Sequence, residues 1–170
     1  MEKIKKNEGI TLIALIVTII VLIILAGISI GEGTSLIKKA KVENFITNMI
    51  TIRANSKVYA EEINAKTWNL NDNGESRNKL FEADYGMKRE SEALNSAQIS
   101  ALDFESDEYD CYSVTETTLE NMGLESIKDD TNYVVVYKSD DYTKLDIVYK
   151  KGITYNGETY YTLSTLQNAM

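Results

Sequence analysis

With no His in its 170 residues, this chain offers carboxylates, 26 Asp and Glu in all, as its first candidates for acid–base chemistry. Asp103, Glu105, Asp107, Glu108 and Asp110 crowd one acidic stretch. A pair such as Asp103 and Glu105 has the residue types for general acid–base work, and the whole run could face a hard cation. No neighbouring motif orders them into a site, so a solvated loop is the expectation. Asn69, Asn71, Asn73 and Gly74 copy the alternation of a calcium loop, but the first ligand is not Asp and the twelfth position is Leu80 where Glu is needed. The stretch from Thr67 to Arg77 reads instead as an exposed, turn-rich loop.

Absences narrow the chemistry further. His is missing, and with it the commonest general base, the Ser-His and Cys-His nucleophile pairs and the usual zinc ligand sets. Pro is missing, so a Leu-Pro-x-Thr-Gly sorting signal cannot occur. Cys111 is the one thiol: it forms no intramolecular disulfide, lies far from the apolar run that a lipidation site would follow, and reads as a buried structural residue. No catalytic residue, metal or cofactor is expected.

The element that organises the chain is a run without charges. From Ile10 to Ile30 there are 21 uncharged residues. As a helix rising about 1.5 Å per residue they would cover about 31 Å, the thickness of a bilayer's hydrocarbon core. A lone segment satisfies its backbone in lipid only as a helix, so the many Ile and Val are no argument for a strand. Thr11, Thr18 and Ser29 can bond back to the preceding turn. The run is too long for a cleaved secretory signal, and the total length leaves room for one modest globular domain beside it.

Before the run, a short leader with Lys3, Lys5 and Lys6 ends in Asn7-Glu8-Gly9 and gives way to Ile10-Thr11-Leu12-Ile13. This order of basic leader, Gly, Thr-Leu-Ile and long apolar helix resembles the prepilin N-terminus of type IV pilins and of the pseudopilins of type II secretion, in the form found in Gram-positive bacteria. The matching motif covers about residues 3 to 30.

The resemblance implies a prepilin peptidase that cuts between Gly9 and Ile10 on the cytoplasmic side, followed by methylation of the new amine. Lys5, Lys6, Gly9 and Ile10 are then the processing residues. Thr11, Leu12, Ile13, Ala14, Leu15, Thr18 and Gly27 belong to a helix that lies in the bilayer before assembly and in a filament core afterwards. Implied partners are other pilin-like subunits and a membrane assembly platform. The protein would be a single-pass protein of the cell membrane with its C-terminal domain outside. Most of the family has Glu at the fifth residue after the cut, where it neutralises a neighbour's terminal ammonium; here that residue is Ala14. An unpaired ammonium near hydrocarbon is costly, so the departure leans toward a minor subunit.

Formal charge is −8, and without the leader 15 basic residues face 24 acidic ones, a net −9. Such a field repels nucleic-acid phosphates, and no direct nucleic-acid binding is expected. Lys3, Lys5 and Lys6 are balanced by Lys38, Lys39 and Lys41 beyond the run, so charge alone does not orient it.

Gly31 and Gly33 weaken the helix after the run by about 1 kcal/mol each relative to Ala, which marks a joint. Val42, Phe45, Ile46, Met49, Ile52, Tyr59, Ala60 and Ile63 then recur at helical spacing and predict an amphipathic helix. Ala40, Ile50, Ala54 and Val58 form a second, narrower strip, either a contact with neighbouring helices or ordinary exposed apolar surface. Ser91 to Leu102 predicts a short helix capped by Ser91. Tyr112 to Val114 predicts a strand, and Leu119 to Met122 a short helix closed by Gly123. The segment Tyr112 to Ser126 resembles one common in Gram-positive pilin-like ectodomains. Tyr133 to Tyr137, Leu145 to Lys150, Ile153 to Tyr155 and Thr159 to Leu163 predict a β-meander, with Asp140-Asp141 and Asn156-Gly157 at its turns. The tyrosines suit half-buried strands better than a conductive or ligand-binding surface.

The expected fold is therefore α+β, pilin-like: a long N-terminal helix, membrane half plus amphipathic half, packed on a C-terminal antiparallel β-meander. The divisions are a leader at 1–9, a transmembrane or filament-core helix at 10–30, its amphipathic continuation at 31–66 and an extracellular α/β region at 67–170. The leading function is a structural subunit of a pilus or pseudopilus-like filament. The alternative is a single-pass surface binding protein that never polymerises.

Overall fold

The computed structural model describes residues 12–67, 75–91, 93–102, 104, 108–139 and 141–170, with backbone alone at 12–14, 23–35, 75 and 141. The chain falls into two compact units that divide between Lys41 and Val42. Helix α1, Leu12–Thr67, contributes to both. In the first unit it carries the apolar run and passes through Gly27, Gly31 and Gly33 with helical backbone.

The second unit is α+β. After α1 come α2 (Glu75–Tyr85), β1 (Lys88–Arg89), α3 (Ser96–Ser100), β2 (Tyr109–Ser113), α4 (Glu116–Asn121), β3 (Tyr133–Lys138), β4 (Asp141–Tyr155), β5 (Glu158–Thr162) and α5 (Leu163–Asn168). The strands form one antiparallel sheet in the order β1-β2-β3-β4-β5.

The apolar stripe of α1 packs on one face of this sheet, as its spacing predicts. Val42, Met49, Ile52, Tyr59, Ala60 and Ile63 are buried in a single core with Tyr112, Val135, Tyr137 and Ile147, and Phe45 and Ile46 pack against it. Register explains the grouping. Tyr112 faces Val135, Val135 faces Ile147, and Tyr133 faces Tyr149, so these side chains share a face. Phe45 meets the ring of Tyr149 at 5.3 Å between centroids.

The other face is also covered. Cys111, Val134, Val136 and Val148 form a second cluster under Ala93, Leu94, Leu102, Phe104, Tyr109 and Tyr161. This layer is held by α3, whose buried Gln98 donates from Nε2 to the Lys150 carbonyl at 3.0 Å. The predicted helix from Ser91 is correspondingly shorter and starts later. Asn95 caps it, accepting from the Gln98 N–H at 3.0 Å while Gln98 Oε1 accepts from the Asn95 N–H at 2.8 Å.

Other expectations are corrected in detail. The strand predicted from Tyr112 starts at Tyr109, because Asp110 is anchored instead of solvated. The stretches Leu145–Lys150 and Ile153–Tyr155 are one 15-residue strand whose register shifts between Val148 and Ile153. Gly152, at φ 70°, lies in that shift and absorbs the bend. Leu163 begins α5 instead of ending a strand, since Thr162 accepts from the Thr165 N–H and caps a helix there. The Asn156-Gly157 turn is as predicted, with φ of 52° and 89°. α4 is capped by Thr115 and followed by Gly123 at φ 73°.

Candidate assembly interface

In the first unit, Leu15, Ile16, Val17, Ile19, Ile20, Val21 and Leu22 are all exposed, from 47% to 64% of their surface. Consecutive residues of a helix point in every direction around its axis, so this segment is apolar on all sides. Burying a side chain of this kind is worth roughly 1.5–3 kcal/mol, and these seven half-exposed residues together leave on the order of 10 kcal/mol unrealised in water. That is as large as the whole stability of an ordinary domain. The segment requires an apolar surrounding that the described chain does not supply. Its one polar side chain needs nothing from outside, because Thr18 Oγ1 donates to the Leu15 carbonyl at 2.8 Å. Leu36 and Ile37 are exposed as well.

In the second unit, α1 shows a smaller apolar strip opposite its core stripe. Ile50 and Val58 are exposed at 44% and 49%, with exposed Ala54 between them at four-residue spacing. Thr47, Lys57 and Glu61 flank the strip and keep it narrow.

Of the residues singled out from sequence, Lys5, Lys6, Gly9, Ile10 and Thr11 lie outside the described residues. Leu12, Ile13 and Ala14 open α1, and Leu15 and Thr18 follow on its exposed surface. Gly27, Gly31 and Gly33 are helical. Among the described residues no helix is long and apolar enough to cross a membrane; the stretch of the run with described side chains is Leu15 to Leu22.

Among the described residues the carboxylates assemble into no metal-binding group. Asp103, Glu105 and Asp107 lie outside the described residues, as do Asn69, Asn71, Asn73 and Gly74 of the calcium-like stretch. Leu80, at that motif's twelfth position, packs against the core. No group of three or more metal-ligating side chains occurs among the described residues. Asp110 is committed elsewhere: it accepts from the Arg89 guanidinium and from the Tyr142 hydroxyl. Burial alone would lift its carboxyl, but these hydrogen bonds and the guanidinium charge hold it below its ordinary value. Arg77 stacks over the other side of that phenol, 4.3 Å from the Tyr142 ring centroid.

Sequence reasoning missed this pattern, in which phenols at the edge of the core donate to carboxylates. Tyr85 donates to Glu62, and Tyr149 to Asp130 at 2.9 Å. The rings of Tyr85, Tyr142 and Tyr149 are thus in the core with their hydroxyls tied to its rim. Cys111 is buried, and burial pushes its thiol up to about 12, so it is no nucleophile at neutral pH. No family model, curated protein or solved structure matches the chain.

Proposed function

We propose that this protein is a structural subunit, a minor one, of a type IV pilus or pseudopilus-like filament. A prepilin peptidase cuts it between Gly9 and Ile10, it waits in the cell membrane as a single-pass protein with its C-terminal domain outside, and an assembly platform packs its apolar helix among those of other pilin-like subunits. The observation that carries this reading is the segment Leu15 to Leu22, apolar on every side and half-exposed, in the same helix that downstream becomes amphipathic and packs on an antiparallel sheet. A bilayer followed by a bundle of like helices is the pair of surroundings that such a segment and the Gly9-Ile10-Thr11-Leu12-Ile13 junction suit.

The test is the intact mass and N-terminal sequence of the protein recovered from membrane and sheared surface fractions of the cells that make it. A chain starting at Ile10 with a methylated amine is the expected result. Gly9→Phe should leave the full-length protein in the membrane, because a side chain there obstructs the cut; normal processing of that variant would sink the assignment. Ala14 favours a second reading, a surface binding protein that never polymerises. Recovery only in the detergent-soluble membrane, with Met1 retained, would establish that alternative.

A further inference from the structure

The apolar run of α1 gives way to a short basic collar. Between Gly33 and Val42 the sequence holds Lys38, Lys39 and Lys41 and no acidic residue. From Val42 onward 12 basic residues face 23 acidic ones, a net −11. A compact positive turn thus separates the run from a strongly negative remainder. Every residue from Leu36 to Lys41 is exposed, Leu36 at 67% and Ile37 at 58%. At 3.6 residues per turn Leu36, Ile37 and Ala40 share a sector of about 100°, and the three lysines occupy the rest of the circumference. Lys39 already interacts within the chain, so Lys38 and Lys41 are the collar charges with no ion pair among the described residues.

An apolar sector beside ammonium groups, on a helix leaving hydrocarbon, is the make-up of a segment that lies in a membrane interface. Because α1 is continuous here, Lys38 and Lys41 follow Ile30 by about 12 and 17 Å along the axis. Headgroups extend about 5–7 Å past the hydrocarbon, and a screening length of about 10 Å with flexible lysine stems brings both cations into their field. Resting on the membrane reading above, we propose that Leu36 to Lys41 docks on anionic phospholipid headgroups where α1 leaves the bilayer. Lys38 and Lys41 meet the lipid phosphates, and Leu36 and Ile37 meet the acyl boundary. Charge complementarity selects this occupant: the collar attracts the same surface that the net −11 of the following residues repels, so this turn of α1 is what holds the chain to it.

The experiment places the full chain in phosphatidylcholine bicelles, replaces that lipid stepwise by phosphatidylglycerol, and follows the backbone amides of Ile37 to Lys41. A saturating shift confined to this turn and reversed by added salt is the expected result. Lys41→Gln should raise the phosphatidylglycerol fraction at half-shift about fivefold, the loss expected for one lysine at an anionic surface. Lys38→Gln with Lys41→Gln should abolish the shift, and Lys→Arg at both positions should keep it. All four substitutions fall at exposed positions, so folding is not at stake. A water-soluble paramagnetic agent separates this proposal from the reading beneath it. Leu15 to Leu22 shielded from the agent in both lipids, with no shift at the collar, would overturn the docking alone; Leu15 to Leu22 open to it would overturn the membrane reading and the docking together. A collar shift that follows protein concentration and ignores lipid charge would assign the turn to a second copy and overturn the proposal.

Discussion

The hydroxyl of Tyr137 donates a 2.8 Å hydrogen bond to the main-chain carbonyl of Ser56, joining the centre of the sheet to the buried stripe of α1. Both residues are fully buried. A helical carbonyl has a second lone pair free for such a bond. Tyr137→Phe should therefore lower stability by about 1 kcal/mol, read from the melting temperature of the full chain in detergent. Ser56→Ala should do the reverse or nothing, because the bond uses the main chain and the Ser56 hydroxyl is itself buried without a partner.

Two glycines at nearly the same φ should respond differently to alanine. A Cβ on Gly123, φ 73°, meets nothing within 4 Å, whereas one on Gly152, φ 70°, comes within 2.5 Å of Thr159 Cγ2 and 2.9 Å of Tyr161 Cε1. Gly123→Ala should cost about 1–2 kcal/mol for the left-handed backbone alone. Gly152→Ala should cost that plus about 1–3 kcal/mol of crowding. Chemical or thermal denaturation of the two variants measures the difference directly.

Acid should loosen the Arg89–Asp110–Tyr142 cluster. The folded-state pKa of Asp110 lies below its unfolded value of about 3.9, so the stability it contributes is complete above that pH and is lost as pH falls through the folded value. Asp110→Asn should be less stable than the parent at neutral pH and lose less on acidification below about pH 4. Melting temperature against pH checks both.

Alkali should act through the phenols. Burial, with a hydrogen bond to Asp110, pushes Tyr142 up to about 12, and burial with a hydrogen bond to Asp130 does the same for Tyr149. Their folded pKa values exceed the unfolded one of about 10, so their stabilisation is whole below pH 10 and drains away as pH rises toward 12. Phenolate absorbance should rise in two phases, the later one coincident with loss of ellipticity.

Cys111 should resist alkylation. The native chain at pH 8 should label with iodoacetamide far more slowly than the chain in denaturant, because the thiol is 4% exposed and its pKa is pushed up to about 12. Equal rates would place Cys111 at the surface.

What the sequence made legible was whatever repeats with a period or needs a special backbone angle. The stripe from Val42 to Ile63 and the Asn156-Gly157 turn are of this kind, and both stand where predicted. Helix α2 escaped because its short, polar sequence shows only Leu80, Phe81 and Tyr85 to the core. The covered back of the sheet escaped because Asp146 alternates with Leu145 and Ile147 and so looks solvent-facing. In the structure it is buried opposite Val136, its charge answered by α5 and the next amide. Arg53, Lys57, Lys144 and Asp146 likewise meet only after folding, around a cavity between α1, β4 and α5. The apolar segment needed no such help, since its lack of charge is visible in any reading.

The strands stand side by side in chain order. Each new strand pairs with the one before it, so none has to be threaded between two that are already joined. Such a sheet can grow from one end as chain becomes free, with short closures between β3, β4 and β5. Helix α1 is different, since its contact from Ser56 to Tyr137 closes a loop of 81 residues. Loop entropy makes that closure slower than strand-to-strand zippering. The order of assembly expected is sheet first and helix second, which pulse-labelled hydrogen exchange would register as protection of β3 and β4 amides ahead of the lasting protection of α1 between Val42 and Ile63.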